Sequence, residues 1–445
     1  MSELNREQYR ASRPDRGVSL VLAGAGTGKT KTLVEKVGNV IRGLPLDPAR
    51  VLVLTFSRKA AEELRARIAD LTGGADIHAS TFHAFCLDLV LGHWECFGGE
   101  RRFAGPPSVI DDETRLRIIR DLVFPDLARF LGVPGDVVVR LLGGPRRHDP
   151  RKEKKLESSG LAAELAALAK RYEEKKRELN AIDYDDMVGL AIELLEGDRS
   201  VRAAVLDRYR YVFVDEFQDV SDDNVRLLGL IMPDRGGNLF AVGDDWQSIY
   251  GFRNARVEYI VRMKRYFPGA EVRRLTVNYR SRREIVSLSR RFIRRNRFRT
   301  RKGLTAQRGR GGRVARLVVP GIEEEAAAIR GIVEGKRDGA TLAVLFRNNW
   351  QCRYLKERLG PAADAEGVSV MTMHASKGLE FDSVVVAGIS DGVIPDPESG
   401  IEEERRLLYV ACTRAREELV IIAHVSERGA VARFGRELGV VAKQN

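Results

Sequence analysis
The chain has 445 residues, 44% hydrophobic and 31% charged, too long for one ordinary core and enough for about two to four globular domains. Its 75 Lys and Arg against 63 Asp and Glu give a net charge of +12, which favours a polyanionic partner, nucleic acid foremost. No apolar run approaches the ~20 residues of a membrane span, the N-terminus has no apolar signal core, and the four cysteines (Cys86, Cys96, Cys352, Cys412) lack CxxC spacing, so neither a disulfide framework nor a metal cluster is indicated and a reducing cytoplasm is the expected setting.

In chain order, the apolar run Val18 to Leu22 predicts a buried strand. It breaks into Ala23-Gly-Ala-Gly-Thr-Gly-Lys-Thr30 and re-emerges as an amphipathic helix from Thr30 to Ile41. Val51 to Phe56 predicts a second strand, Lys59 to Asp70 a helix, and Ile77 to Phe82 a third strand. Alternating strands and helices predict a parallel, doubly wound sheet. Residues 93–182 read instead as a helical insertion, with an exposed linker at Pro145 to Lys155 and a helix from Leu161 to Leu179. Strands resume at Tyr211 to Asp215 and Leu239 to Gly243. A further series (Arg274 to Val277, Val314 to Val319, Thr341 to Phe346, Val368 to Met373, Ser383 to Ala387, Leu419 to Ala423) supplies a second sheet. The expected division is 1–92 and 183–275 for the first core, 93–182 for the insertion and 276–445 for the second core.

The glycine-rich turn between strand and helix has the context of a phosphate-binding loop: successive N–H groups of Gly24, Ala25, Gly26, Thr27 and Gly28 can face one anion at a helix N-terminus. Lys29 then reaches the terminal phosphates and the Thr30 hydroxyl ligates Mg²⁺. An ordinary glycine-rich βα turn would look similar in isolation. Asp215 and Glu216, at the end of an apolar strand, supply the partners such a loop needs: Asp215 for Mg²⁺ and Glu216 as general base. Gln247, after the next strand, can sense a γ-phosphate. Tyr250, Phe252 and Arg253 offer stacking faces and a cation to a nucleic-acid strand, although the two aromatics taken alone favour core packing over stacking.

These stretches, with Asn5-Arg-Glu-Gln8, Leu54-Thr-Phe-Ser-Arg-Lys-Ala-Ala61, Ser80-Thr-Phe-His83, Asn278-Tyr-Arg-Ser281, Met371 to Phe381 and Glu404 to Ala415, occur in an order that resembles the superfamily 1 helicases of the UvrD/Rep family. The compact length is similar to the helicase IV branch. The resemblance implies two tandem RecA-like P-loop NTPase cores, α/β with doubly wound parallel sheets and one helical insertion in the first core. It also implies ATP and Mg²⁺ in the cleft between them, and 3′ to 5′ movement on single-stranded DNA and at single–double strand junctions. It assigns Gln8 to the adenine edge, Tyr279 to base stacking, Glu380 to the ribose, and Arg280 and Arg414 to the γ-phosphate as fingers from the second core. Phe56, Thr81, His83, Tyr250, Phe252, Arg253 and His374 would line the single-strand track. Ala23 replaces the first loop glycine, and Lys31 stands where many relatives carry Arg, so it receives no role. The larger relatives insert an accessory domain for which Gly360 to Gly367 leaves no room. A GTPase is not expected, since no Asn-Lys-x-Asp motif is present. Nor is a fused nuclease, because the chain stops about thirty residues after Arg414. A monomeric motor is the expectation.

The run Arg290 to Lys302 is dense in cations and free of acids. It reads equally as a phosphate-contacting patch or as a solvated helix face with Phe292 and Ile293 turned inward.

Overall fold
The computed structural model describes residues 4–44, 46–123, 162–232, 237–397, 399–426 and 429–441. The linker expected at Pro145 to Lys155 lies outside the described residues.

Helix α1 (Arg6–Ser12) leads into β1 (Val18–Ala23), α2 (Lys29–Gly43), β2 (Val51–Thr55), α3 (Arg58–Thr72), β3 (His78–Thr81) and α4 (Phe82–Gly92). After β4 (Ser108–Val109), α5 (Asp112–Val123), α6 (Ala162–Glu178) and β5 (Ala181–Ile182), the chain continues through α7 (Tyr184–Gly197), α8 (Arg199–Arg208), β6 (Tyr211–Val214), α9 (Asp222–Leu230), β7 (Asn238–Gly243) and β8 (Glu271–Leu275). The first sheet has the order β3-β2-β6-β7-β1-β8 and is parallel throughout. Its inner strands β1, β2, β6 and β7 are buried on both faces, which is why they read as largely apolar runs, while the edge strand β8 is charged and partly exposed. Leu20, Leu22, Leu52 and Leu54 pack on one side and Val21, Ala23, Val51 and Val53 on the other. Strand β1 lies between β7 and β8 while β2 lies beyond β7 and β6, so the loop after β1 opens at a reversal of strand order, where parallel sheets form ligand crevices.

Residues 93–182, read from the sequence as a helical insertion, also carry one short strand pair. Strands β4 and β5 align in parallel and close the base of the inserted helices. Asn180, at φ 46°, holds that base by donating to the Gly105 and Pro106 carbonyls and accepting from the Ala104 N–H. Two-residue strands lack the length to show an alternation in sequence.

The second sheet holds β11 (Arg313–Val319), β12 (Leu342–Phe346), β13 (Val368–Thr372), β14 (Phe381–Ile389) and β15 (Ala415–His424), in the parallel order β11-β15-β14-β12-β13. Helices α10 (Arg283–Ile293) and α13 (Ile401–Cys412) cover the face that carries Val384 and Val386. Helices α11 (Ile322–Glu334) and α12 (Asn349–Leu359) cover the face that carries Val385 and Ala387. One expected member is absent from this sheet. Arg274 to Val277 divides between β8, which pairs with β1 in the first sheet, and β9 (Val277–Asn278), which pairs only with β10 (Thr305–Ala306). Alternation identifies a strand, but sheet membership is fixed by which edge it meets. From α12 the chain passes through the short helical turn Gly360–Asp364 directly into β13.

Candidate nucleotide and nucleic-acid site
A cleft of about 2060 Å³ runs between the two sheets, lined from the first by Gly24 to Thr30, Asp215, Glu216 and Gln247 and from the second by Tyr279, Arg280, Lys377, Glu380 and Arg414. Its floor is the turn after β1. Gly28 has φ 81°, and a Cβ there would come within 2.6 Å of the Gln8 amide nitrogen, so only glycine meets both demands. Gln8 is buried: its amide donates to the Thr27 carbonyl at 3.1 Å and accepts from the Asn5 N–H at 3.0 Å. The residue expected at an adenine edge thus also braces the loop. Tyr279 stands beside it, 41% exposed, its hydroxyl accepting from the Asn5 side chain and its N–H donating to the Gly26 carbonyl.

Asp215 and Glu216 follow β6 directly. Glu216 is forced to φ 52°, unusual for a residue with a Cβ, which turns its carboxylate toward Lys29 at 3.9 Å. Burial and the neighbouring Glu216 push the Asp215 carboxyl up, against the pull of Lys29. Desolvation acts on Glu216 as well, but Lys29 and Lys377 overcome it and hold this carboxyl below its usual range. The pair therefore differentiates: Glu216 stays ionised, while at Asp215 burial and the charge of Glu216 outweigh the same lysines. Magnesium takes one or two carboxylates, a hydroxyl and substrate phosphates, and Asp215 with Thr30 at the start of α2 fits that donor set. Among the described residues there is no all-protein cage of three or more acidic, His or Cys ligands.

The second sheet reaches into this cleft through four cations. Arg280 donates from Nε to Glu380 at 2.6 Å and from Nη1 to the Thr413 carbonyl. Glu380, expected at a ribose, is also paired with Arg416; its burial is outweighed by these two arginines, which hold its carboxyl below the usual range. Arg414 is fully buried, bonded to the carbonyls of Val410 and Leu379 and, at 3.1 Å, to the Gln247 amide oxygen. Burial, then the nearby Arg280, lowers its guanidinium to about 9. Gln247 donates in turn to Asp244 at 2.5 Å. Lys377 pairs with Asp219, donates to the Gln247 carbonyl and lies 4.6 Å from the Tyr250 ring centre. Burial lifts Asp219 to about 6 despite that lysine.

Beyond the phosphate end, Phe252 projects 61% exposed, edge-on to Tyr250 and to His374, with the Arg253 guanidinium over both phenyl-type rings. Burial, with Arg347, Lys377 and Arg253 close by, lowers His374 to about 4, so it presents a neutral ring near pH 7. Phe56 and His83 are exposed on the same cleft wall. Thr81 departs from the expectation: it is buried, and its hydroxyl caps α4 by accepting from the Ala84 N–H, leaving it a structural place beside the track.

Four residues around the site received no role in the sequence reading. Asn278 ties the phosphate loop to the Arg280 turn, donating to the Ala25 carbonyl and accepting from the N–H groups of Arg280 and Ser281. Arg416 and Lys377 flank residues that were singled out. Lys302, counted within the basic run, is wholly buried against Asp244 and Asp245 and donates to the Ala23 carbonyl. Removing it strands two buried carboxylates, so Lys302→Met is expected to destabilise the protein by about 3–5 kcal/mol, read from a urea melt; an unshifted midpoint would refute this account.

A model of the UvrD/REP helicase N-terminal domain matches residues 4–268, and one of the UvrD-like helicase C-terminal domain matches residues 360–426. Among curated proteins, the chain is 30% identical over 368 residues to the ATP-dependent DNA helicase PcrA of Leuconostoc citreum, covering 80% of this chain and 48% of that protein. It is 28% identical over 365 residues to the PcrA proteins of Staphylococcus epidermidis and Staphylococcus aureus, covering 80% of this chain and 49% of each. The chain spans about half the length of these curated relatives. The two matched spans include the glycine-rich turn after β1, the acids at 215 and 216, and Arg414, and the chain belongs to the UvrD/REP helicase family.

Proposed function
We propose that this chain is an ATP-hydrolysing DNA motor, a monomer of the cytoplasm, that moves 3′ to 5′ along single-stranded DNA and separates duplex ahead of it in repair or replication. In this reading residues 1–92 and 183–275 form one motor core, 276–445 the other, and 93–182 an accessory insertion. The observation that carries it is a single cleft in which Lys29, Glu216 and Gln247 of one sheet face Arg280 and Arg414 of the other, with exposed Phe252 and His374 at its edge.

The phosphates of ATP lie on the N–H groups of Gly24 to Lys29, with Gln8 and Tyr279 at the base and Glu380 at the ribose. Thr30 and Asp215 would hold magnesium, which would supply neutralisation of the charge that develops on the phosphates. Glu216, kept ionised, orients the attacking water and accepts its proton. Arg414 is bonded to Gln247 and Arg280 to Glu380. An incoming γ-phosphate competes for those same donors, so nucleotide binding and the closing of the two cores are linked. Arginines placed in this way contribute on the order of 10³–10⁵ in rate in other NTPases. The closing motion shifts Phe252, Tyr250, Arg253 and His374 relative to Phe56 and His83, and so moves a stacked strand.

ATPase rates measured without nucleic acid and with single-stranded DNA, duplex DNA and RNA test this. Strong stimulation by single-stranded DNA is expected, and a rate indifferent to every polymer would overturn it. A second reading, a translocase that displaces bound proteins and unwinds poorly, is favoured by the direct passage from α12 into β13, which leaves few surfaces to grip a duplex. Protein displacement from a single strand without duplex separation would select it.

A further inference from the structure
The basic run that the cleft does not use divides in the structure. Several of its cations are consumed internally: Lys302 is buried, Arg290 donates to the Leu304 carbonyl at 3.0 Å, Arg295 lies 3.8 Å from Glu437, and Arg299 bonds the Arg294 and Thr300 carbonyls. Phe292 and Ile293 are buried in the second core. Arg291, Arg294, Arg297 and Arg301 of the run remain exposed, as does Arg283 at the start of the preceding helix, and among the described residues none of the side chains of Arg283, Arg291, Arg294 and Arg297 has a carboxylate partner.

Their placement is regular. At 100° per residue, Arg283 at the start of α10 and Arg294 at its C-cap fall within about 20°, with Arg291 about 60° further round, and the three span about 16 Å. The opposite face of α10 is the apolar one, with Ile285, Leu288 and Phe292 packed on the sheet. The row begins three residues from Arg280. Its far end adjoins the strand track: Glu402 accepts from the Asn296 side chain through its carbonyl and from the Arg297 N–H through its carboxylate, while the next residue, Glu403, accepts from the Gly251 N–H beside Phe252.

We propose that this arginine row binds the phosphate backbone of double-stranded DNA next to the point where one strand enters the track. The inference rests on the reading of the chain as a DNA motor. It goes beyond that reading in naming a second surface with a different form of the polymer. Two features select duplex. The row offers charge with no exposed aromatic beside it, since Phe292 is buried and Phe298 is half-buried beneath the Arg262 guanidinium. Single-strand sites combine cations with stacking rings, as the Phe252 group does, whereas duplex phosphates require only charge. A straight row of about 16 Å also matches a rigid duplex, which presents a phosphate every ~3.4 Å of axis per strand.

The test replaces Arg283, Arg291, Arg294 and Arg297 together by Ser and measures binding of a labelled blunt 20-base-pair duplex and a labelled oligo-dT across salt concentrations. Affinity for the duplex is expected to fall roughly tenfold or more, with the slope of log affinity against log salt reduced by ~0.9 for each phosphate no longer neutralised, while oligo-dT binding changes little. The corresponding all-Lys version should restore duplex binding, because point charges suffice. A matched control, with Arg337, Arg353 and Lys356 of the opposite face changed to Ser, should bind duplex as the unaltered protein does. Equal losses on both DNAs, no loss on duplex, failure of the lysines to restore it, or an equal loss in the control would overturn the proposal. An unaltered protein that binds neither DNA would instead sink the motor reading beneath it.

Discussion

Lys29→Ala is expected to lower ATP turnover at least ~100-fold with the fold intact, because the lost ammonium acts on the charge of the transferred phosphoryl group. The structure gives this substitution a second consequence. Lys29 is the first of the cations that keep Glu216 ionised against desolvation. Its removal weakens the base as well as the phosphate contact, so the loss should exceed that of a surface charge by orders of magnitude. Glu216→Gln separates the two effects. It preserves volume and the hydrogen bond from Gln218, leaves Lys29 free for the phosphates, and removes only the proton acceptor. That variant should bind ATP, read by a fluorescent analogue, while turnover falls by a similar ~100-fold. Normal hydrolysis by Glu216→Gln would show that the water is activated elsewhere.

Phe252→Ala should uncouple hydrolysis from movement. The ring is 61% exposed and supports no core, so DNA-free ATPase should be largely spared. What is lost is a stacking face worth ~1–3 kcal/mol per base, together with the platform on which Arg253 and His374 rest. Strand movement, followed by separation of short tailed duplexes, is expected to disappear. The unaltered protein should open duplexes with a 3′ tail in preference to a 5′ tail, and do so at concentrations where light scattering reports a monomer. In the proposed reading both sides of the ATP cleft and of the strand track come from one chain, so neither step calls for a second copy. Activity confined to 5′-tailed substrates, or appearing only on dimerisation, would contradict this account.

The amino-acid sequence by itself determined the elements whose signal is local. Buried parallel strands such as Val51–Thr55 and Tyr211–Val214 are apolar along nearly their whole length because both faces are covered. The turn at Gly24 to Lys29 needs glycine for a left-handed backbone wherever it occurs. The acids at 215 and 216 stood out for the same reason, as adjacent residues at a strand end, whereas the exposure of Phe252 did not, because its neighbours in sequence favour a core position.

Tertiary structure decided everything that depends on which distant residues meet. No local pattern distinguishes Lys302, buried between Asp244 and Asp245, from Arg301, which is exposed one position earlier. Only the packing of that segment beneath Trp246 removes one cation from water and leaves the other there. Thr81 belongs to a helix cap because α4 starts at the next residue. Strand β8 joins the first sheet because its edge meets β1. The two carboxyls at 215 and 216, alike in sequence, diverge because Lys29 and Lys377, from opposite sheets, overcome burial at Glu216, whereas at Asp215 burial and the charge of Glu216 outweigh them. Charge is written in the sequence, but whether a charge is solvated, paired or free to meet a phosphate is set by the dielectric and the partners that folding places around it.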